Sequence, residues 1–167
     1  GNCCATLNRL AMLFFGGSGV TASHAARALK FSNAHMSWIE HLADARHTLC
    51  EELDAEARTG TPDASRVRRW IARIGRTRTD AFVSLQVALW RARLARHPDP
   101  KVEAFLPRFA ALAAEIAFRD PVELADLAVD GDDLRAAGVP AGPVLGRILR
   151  TLLAAVVADP ELNQRDG

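Results

Sequence analysis

Apolar positions recur at helical spacing along almost the whole chain. Met36, Ile39, Leu42, Ala43, Leu49 and Leu53 wind down one side of a helix, with Ser32 standing where an N-cap is needed. This element runs from Ala34 to about Arg58, where Thr59-Gly60-Thr61-Pro62 breaks it. Asp63 caps a second helix in which Val67, Trp70, Ile71 and Ile74 follow the i, i+3, i+4, i+7 template, and Gly75 ends it. A third starts at Thr79 or Asp80, carries Phe82, Leu85, Leu89 and Leu94, and stops at His97-Pro98. Asp99 and Pro100, a cap followed by a first-turn proline, open a fourth that reaches about Phe118.

Beyond Arg119 the pattern changes. Asp120-Pro121 forms a joint, and a short helix from Asp132 to Ala137 leads into the turn Gly138-Val139-Pro140-Ala141-Gly142. The last helix starts at Pro143 and carries a long stripe from Val144 and Leu145 to Val156 and Val157, with Pro160 ending it. Leu127 to Val129 is the one stretch with a faint strand pattern. The pattern predicts an all-α fold: an irregular helical array over residues 1–118 as a body, and a small helical tail over 119–167 whose glycine turn resembles a helix-hairpin-helix.

Composition sharpens this picture little until charge is resolved along the chain. With 167 residues, 49% of them apolar and 25% charged, the chain is long enough to bury a core. No stretch is long and apolar enough for a membrane span, and Leu10–Phe15 is too short for a signal peptide. Three cysteines (Cys3, Cys4, Cys50) do not suit a disulfide framework, so a soluble protein of the cytoplasm is expected. The net charge of +1 conceals one strongly basic stretch, since residues 58–96 hold ten arginines against only Asp63 and Asp80. Arginine suits phosphate because its planar fork donates bidentately.

The candidate chemistry lies in that stretch. Arg66, Arg68, Arg69, Arg73, Arg76 and Arg78 fall within thirteen positions, a density suited to RNA phosphates. The competing reading is a solvated face, with some arginines paired to Asp63, Asp80 or the acidic run Glu51, Glu52, Asp54 and Glu56. In the tail, Gly138 and Gly142 with Arg147 and Arg150 offer a local phosphate contact, weakened by Pro140 and Pro143, which lack N–H groups. His35, His41 and His47 lie about 120° apart on their helix and cannot join as an i, i+4 metal pair. The carboxylates of Asp130-Gly131-Asp132-Asp133 suit the start of a helix better than a metal. Gly16-Gly17-Ser18-Gly19-Val20 reads as a loop between helices, and Trp38, Trp70 and Trp90 as core. No constellation of nucleophile, base and orienting group appears, so no catalytic residue is assigned.

Leu124-Ala125-Asp126-Leu127-Ala128-Val129-Asp130-Gly131-Asp132-Asp133-Leu134, then Gly138 to Pro143, Gly146-Arg147-Ile148-Leu149 and Asp159-Pro160-Glu161-Leu162-Asn163 form a connected pattern. It resembles the C-terminal end of bacterial tRNA nucleotidyltransferases, the CCA-adding and poly(A) polymerase family. Phe31-Ser32-Asn33-Ala34 and Val67-Arg68-Arg69-Trp70-Ile71-Ala72-Arg73-Ile74-Gly75 are similar to the helical body of the same proteins. The resemblance implies a non-catalytic region that holds tRNA for a head, not found in these residues, where Mg²⁺ and nucleotide bind. That head would be the partner of this chain in the intact protein. The His-Asp phosphohydrolase element of some relatives has no counterpart at Leu13-Phe14-Phe15-Gly16. The alternative is a helical protein-interaction or dimerisation module, suggested by the apolar final helix.

Overall fold

The structure, a computed structural model, describes residues 30–164 together with His24, Arg27 and Ala28. Leu10–Phe15, the Gly16–Val20 loop, Cys3 and Cys4 lie outside the described residues. Among those described, the elements are α1 (Asn33–Ala57), α2 (Ala64–Ile74), α3 (Arg76–Leu94), α4 (Pro100–Arg119), a 3-10 turn at Leu124–Asp126, α5 (Gly131–Ala136), α6 (Pro143–Ala158) and a 3-10 turn at Pro160–Leu162. The fold is all-α, an irregular helical array. No strand occurs among the described residues, and the chain at Leu127–Val129 forms bends.

Side-chain caps set most helix starts. The Ser32 hydroxyl accepts from the His35 N–H, and Asp63 accepts from that of Arg66. Asp99 accepts from Lys101 and Val102 at the head of α4. Asp130 accepts from Asp132 and Asp133, while Asp133 returns the bond to the Asp130 N–H, a reciprocal capping box.

The exceptions are α6, whose N-cap Gly142 offers no side chain, and α3, which begins at Arg76 and not at Thr79 or Asp80. Only Gly75 separates it from α2, and its φ of 89° turns the chain in a region that a side chain resists. The N-terminal N–H of Arg76 donates to Glu123 Oε1 at 2.8 Å, a cap supplied from 47 residues away. The Thr79 hydroxyl donates to the Gly75 carbonyl. The apolar periodicity begins only at Phe82, so the extra first turn carries no local pattern.

The body closes on α4, which packs against α2 and α3. Val67, Trp70, Ile71 and Ile74 of α2 are all buried, as their spacing requires. Trp90 meets Phe105 and Phe109 edge-on at 5.6 Å, and Phe105 stacks on Phe109 at 5.5 Å. The two core indoles keep their N–H groups satisfied at the edge of α1, Trp70 donating to Glu52 and Trp90 to Asp54. Trp38 is half-buried against the same core. His41 bridges helices through an Nε2 contact of 2.9 Å with the Ile74 carbonyl. The tail leans on α2 through α6, burying Val156 and Val157 and leaving Leu145, Ile148, Leu149, Leu152 and Leu153 half-buried. No helix among the described residues is long and apolar enough to cross a membrane.

Candidate nucleic-acid interface

The arginine stretch divides by direction. On α2, the residues facing the core leave Arg68 toward the tail and Arg66, Arg69 and Arg73 toward the opposite, outward side. Arg68 is enclosed: its Nε donates to Asp120 Oδ2 at 2.6 Å, its Nη1 reaches the Val157 carbonyl, and its side chain is only 13% exposed. Arg76 is more committed still. Its guanidinium donates to the carbonyls of Ala117 and Asp120 and pairs with Asp126 at 2.7 Å. These two arginines join the body to the tail, and their charges meet carboxylates of that tail.

Asp126 is the other half of the joint. Its Oδ2 also accepts from the N–H groups of Val122 and Glu123. Burial pushes its carboxyl up, but those two N–H groups and the Arg76 guanidinium outweigh burial and hold it below the ordinary aspartate value. Asp54 behaves alike between α1 and α3. Burial raises it, and the hydrogen bonds from Trp90 and Arg93, with the charges of Arg93 and Arg46, bring it below its usual value.

Arg66 is half-tied, its guanidinium paired with the buried Glu56 while about half of its side chain remains exposed. Glu56 itself is held from behind, since its Oε1 accepts from the Asp63 N–H. Arg69 and Arg73, one turn apart on α2, are exposed and make no hydrogen bond or ion pair among the described residues. Arg78 is half-buried beside Gly75, with its Nε enclosed and unpartnered. The stretch therefore brings Arg66, Arg69 and Arg73 together on one outward side and turns Arg68 and Arg76 away from it.

An open concavity of about 620 Å³ adjoins the outward arginines, lined by Thr59, Thr61, Ser65, Arg66 and Arg69 with Glu56 and Asp63. Arg108 of α4 reaches into the same loop, its Nη1 donating to the Gly60 carbonyl and to Thr61 Oγ1 at 3.3 Å. Lys101 lies against Gly60 as well. Neither Lys101 nor Arg108 stands out in the sequence, because Arg108 lies 47 residues from Thr61 and Lys101 almost as far from Gly60, and only folding unites them. The guanidiniums around this shallow cleft can hold a phosphate backbone by charge-assisted hydrogen bonds, while the Thr59 hydroxyl is spent on the Glu56 and Thr61 carbonyls.

In the tail, Gly138 and Gly142 are exposed with φ of 90° and 139°. Gly138 closes α5: its N–H donates to the Arg135 carbonyl and that of Val139 to Leu134, so both donors turn inward. With Pro140 and Pro143 lacking N–H groups, the hairpin keeps few backbone donors for an outside anion. Arg147 and Arg150 are exposed on α6, off its apolar face. The carboxylates of Asp130, Asp132 and Asp133 serve α5: two cap it and Asp132 pairs with Arg135. That geometry does not fit Mg²⁺, and no group of three or more His, Cys, Asp or Glu among the described residues could hold a metal.

Comparison with family models, curated proteins and solved structures returns no match for this chain.

Proposed function

We propose that this chain is a tRNA-binding helical region of the nucleotidyltransferase and poly(A) polymerase kind, gripping the folded RNA through its backbone and leaving chemistry to another part of the parent protein. The observation that carries this reading is the outward side of α2. Arg69 and Arg73 stand free there, next to a hydroxyl-lined cleft that Arg66 and Arg108 border. Guanidiniums without internal counter-charges are the ones available to displace counterions from phosphates. A rigid helical surface reads double-stranded RNA by shape and backbone, so one such surface serves tRNAs of any sequence. Arg147 and Arg150 supply a second, smaller contact on the tail, while Mg²⁺ and nucleotide belong to the nucleotide-transferring part of the parent.

The test is a titration of tRNA at several salt concentrations. Affinity is expected to fall linearly on a log–log plot, and Arg69→Gln with Arg73→Gln to flatten that slope by roughly two, about one per lost phosphate contact. Being exposed and unpaired, the double variant should melt within about 0.5 kcal/mol of the parent stability. Binding that ignores salt, or a slope that the double variant leaves intact, overturns the reading.

A further inference from the structure

The outer side of the α3–α4 pair carries surface that neither the core nor the tail covers. At one end, a cavity of about 360 Å³ is walled by Val83, Ala110, Ala114, Ala117 and Phe118, with Asp80 beside it. Phe118 is 85% exposed, the most of the large apolar residues among those described. At the other end, a cavity of about 560 Å³ is lined by Leu94, Ala95, Pro98, Leu106 and Pro107, next to the exposed Arg91 and Glu103. From Pro107 to Phe118 the helix advances about 16 Å. A lone exposed apolar residue needs no partner, but here a projecting ring and a hollow of suitable size share one face.

Charge on that face is mixed, Asp80 standing with Arg76 at one end and Arg91 with Glu103 at the other, but Arg76 is already committed to Asp126. α3 carries Asp80 at the Phe118 end and Arg91 at the other, again about 16 Å apart. Neither makes an ion pair among the described residues.

We propose that this face is a self-association surface on which two copies pack as a two-fold dimer, their α3 helices antiparallel. A two-fold axis crossing the seam midway sets Phe118 of each copy into the Leu94–Pro107 hollow of the other, and Asp80 of each beside Arg91 of the other. A second copy carries both the matching ring and the matching charge. The seam runs about 28 Å along α3 and about 20 Å across two helices, or roughly 600 Å² per copy, at the lower edge of stable interfaces. An interface of that size fits a reversible dimer that forms and dissociates with concentration. It leaves Arg66, Arg69 and Arg73, on the outward side of α2, uncovered.

Analytical ultracentrifugation of the whole chain across the micromolar range tests this. The weight-average mass should climb from monomer toward dimer with concentration. Asp80→Arg should weaken association about tenfold or more, and adding Arg91→Asp should restore it. Phe118→Ser should abolish dimers with the circular dichroism melt unchanged, since its side chain lies outside the core. A monomer at every concentration overturns the proposal, as does a charge swap that fails to restore association. Loss of tRNA affinity in Phe118→Ser, with the parent protein monomeric, assigns the face to RNA and equally overturns it.

Discussion

The body and the tail are held together by different forces. In the body, Phe82, Trp90, Phe105, Leu42, Leu53 and Val67 are fully enclosed, and one continuous apolar cluster joins α1 to α4. Among the described residues the tail encloses Val122, which joins that same cluster, with Val156 and Val157, and leaves Leu124, Val144 and Leu162 exposed. What fixes it is polar: Arg68 to Asp120, Arg76 to Asp126, and Asn163, whose amide accepts from the Ala128 N–H and donates to the Asp126 carbonyl. Part of the arginine stretch is thus internal scaffolding. A cluster of cations in a sequence is a mixture of fasteners and contacts, and only the partners tell which is which.

That contrast can be broken at either end. The largest effect belongs to the body core: Trp90→Ala should cost about 3–5 kcal/mol and lower the denaturant midpoint of α1 to α4 as one unit. Arg76→Gln should cost about 2–3 kcal/mol, since it removes the counter-charge of Asp126, which keeps only two backbone N–H donors, and the donors to two carbonyls. Its signature is regional, with amide hydrogen exchange accelerating in residues 120–164 more than in α2 to α4. If both variants accelerate exchange uniformly, body and tail are one cooperative unit and the contrast fails.

Acid gives the smallest and most graded effect. Asp126 and Asp54 lie below their ordinary values, so the stability they add is complete above the unfolded aspartate value near pH 4 and is lost as pH falls through their lower native values. Urea midpoints measured between about pH 5 and pH 2 should fall, and Asp126→Asn should fall less steeply over the same range. An equal slope in the variant shows that Asp126 is not the titrating latch.

Much of the fold was legible because its punctuation is local. Ser32, Asp63, Asp99 and Asp130 each cap within three residues of themselves, and the spacing of Val67, Trp70, Ile71 and Ile74 states which side of α2 is buried. The start of α3 was not legible, because its cap is a glutamate 47 positions downstream. The interface was half legible for the same reason. Helical periodicity spreads the arginines over several faces, but Asp120 and Asp126, which claim Arg68 and Arg76, stand about fifty residues away. The acidic run of α1 was the readable source of partners: Glu56 pairs with Arg66, ten residues on, and Asp54 with Arg93, 39 residues on.

Gly75 has a consequence for the molecule as a whole. It is the sole residue between the arginine helix and the helix that bears Asp80 and Arg91, so the angle between them turns on one pair of backbone torsions. Any residue with a β-carbon there would resist φ near 89° and re-aim both outward surfaces together. Their relative bearing rests on that pivot and on the packing of both helices against α4, with no loop between them for drift to accumulate.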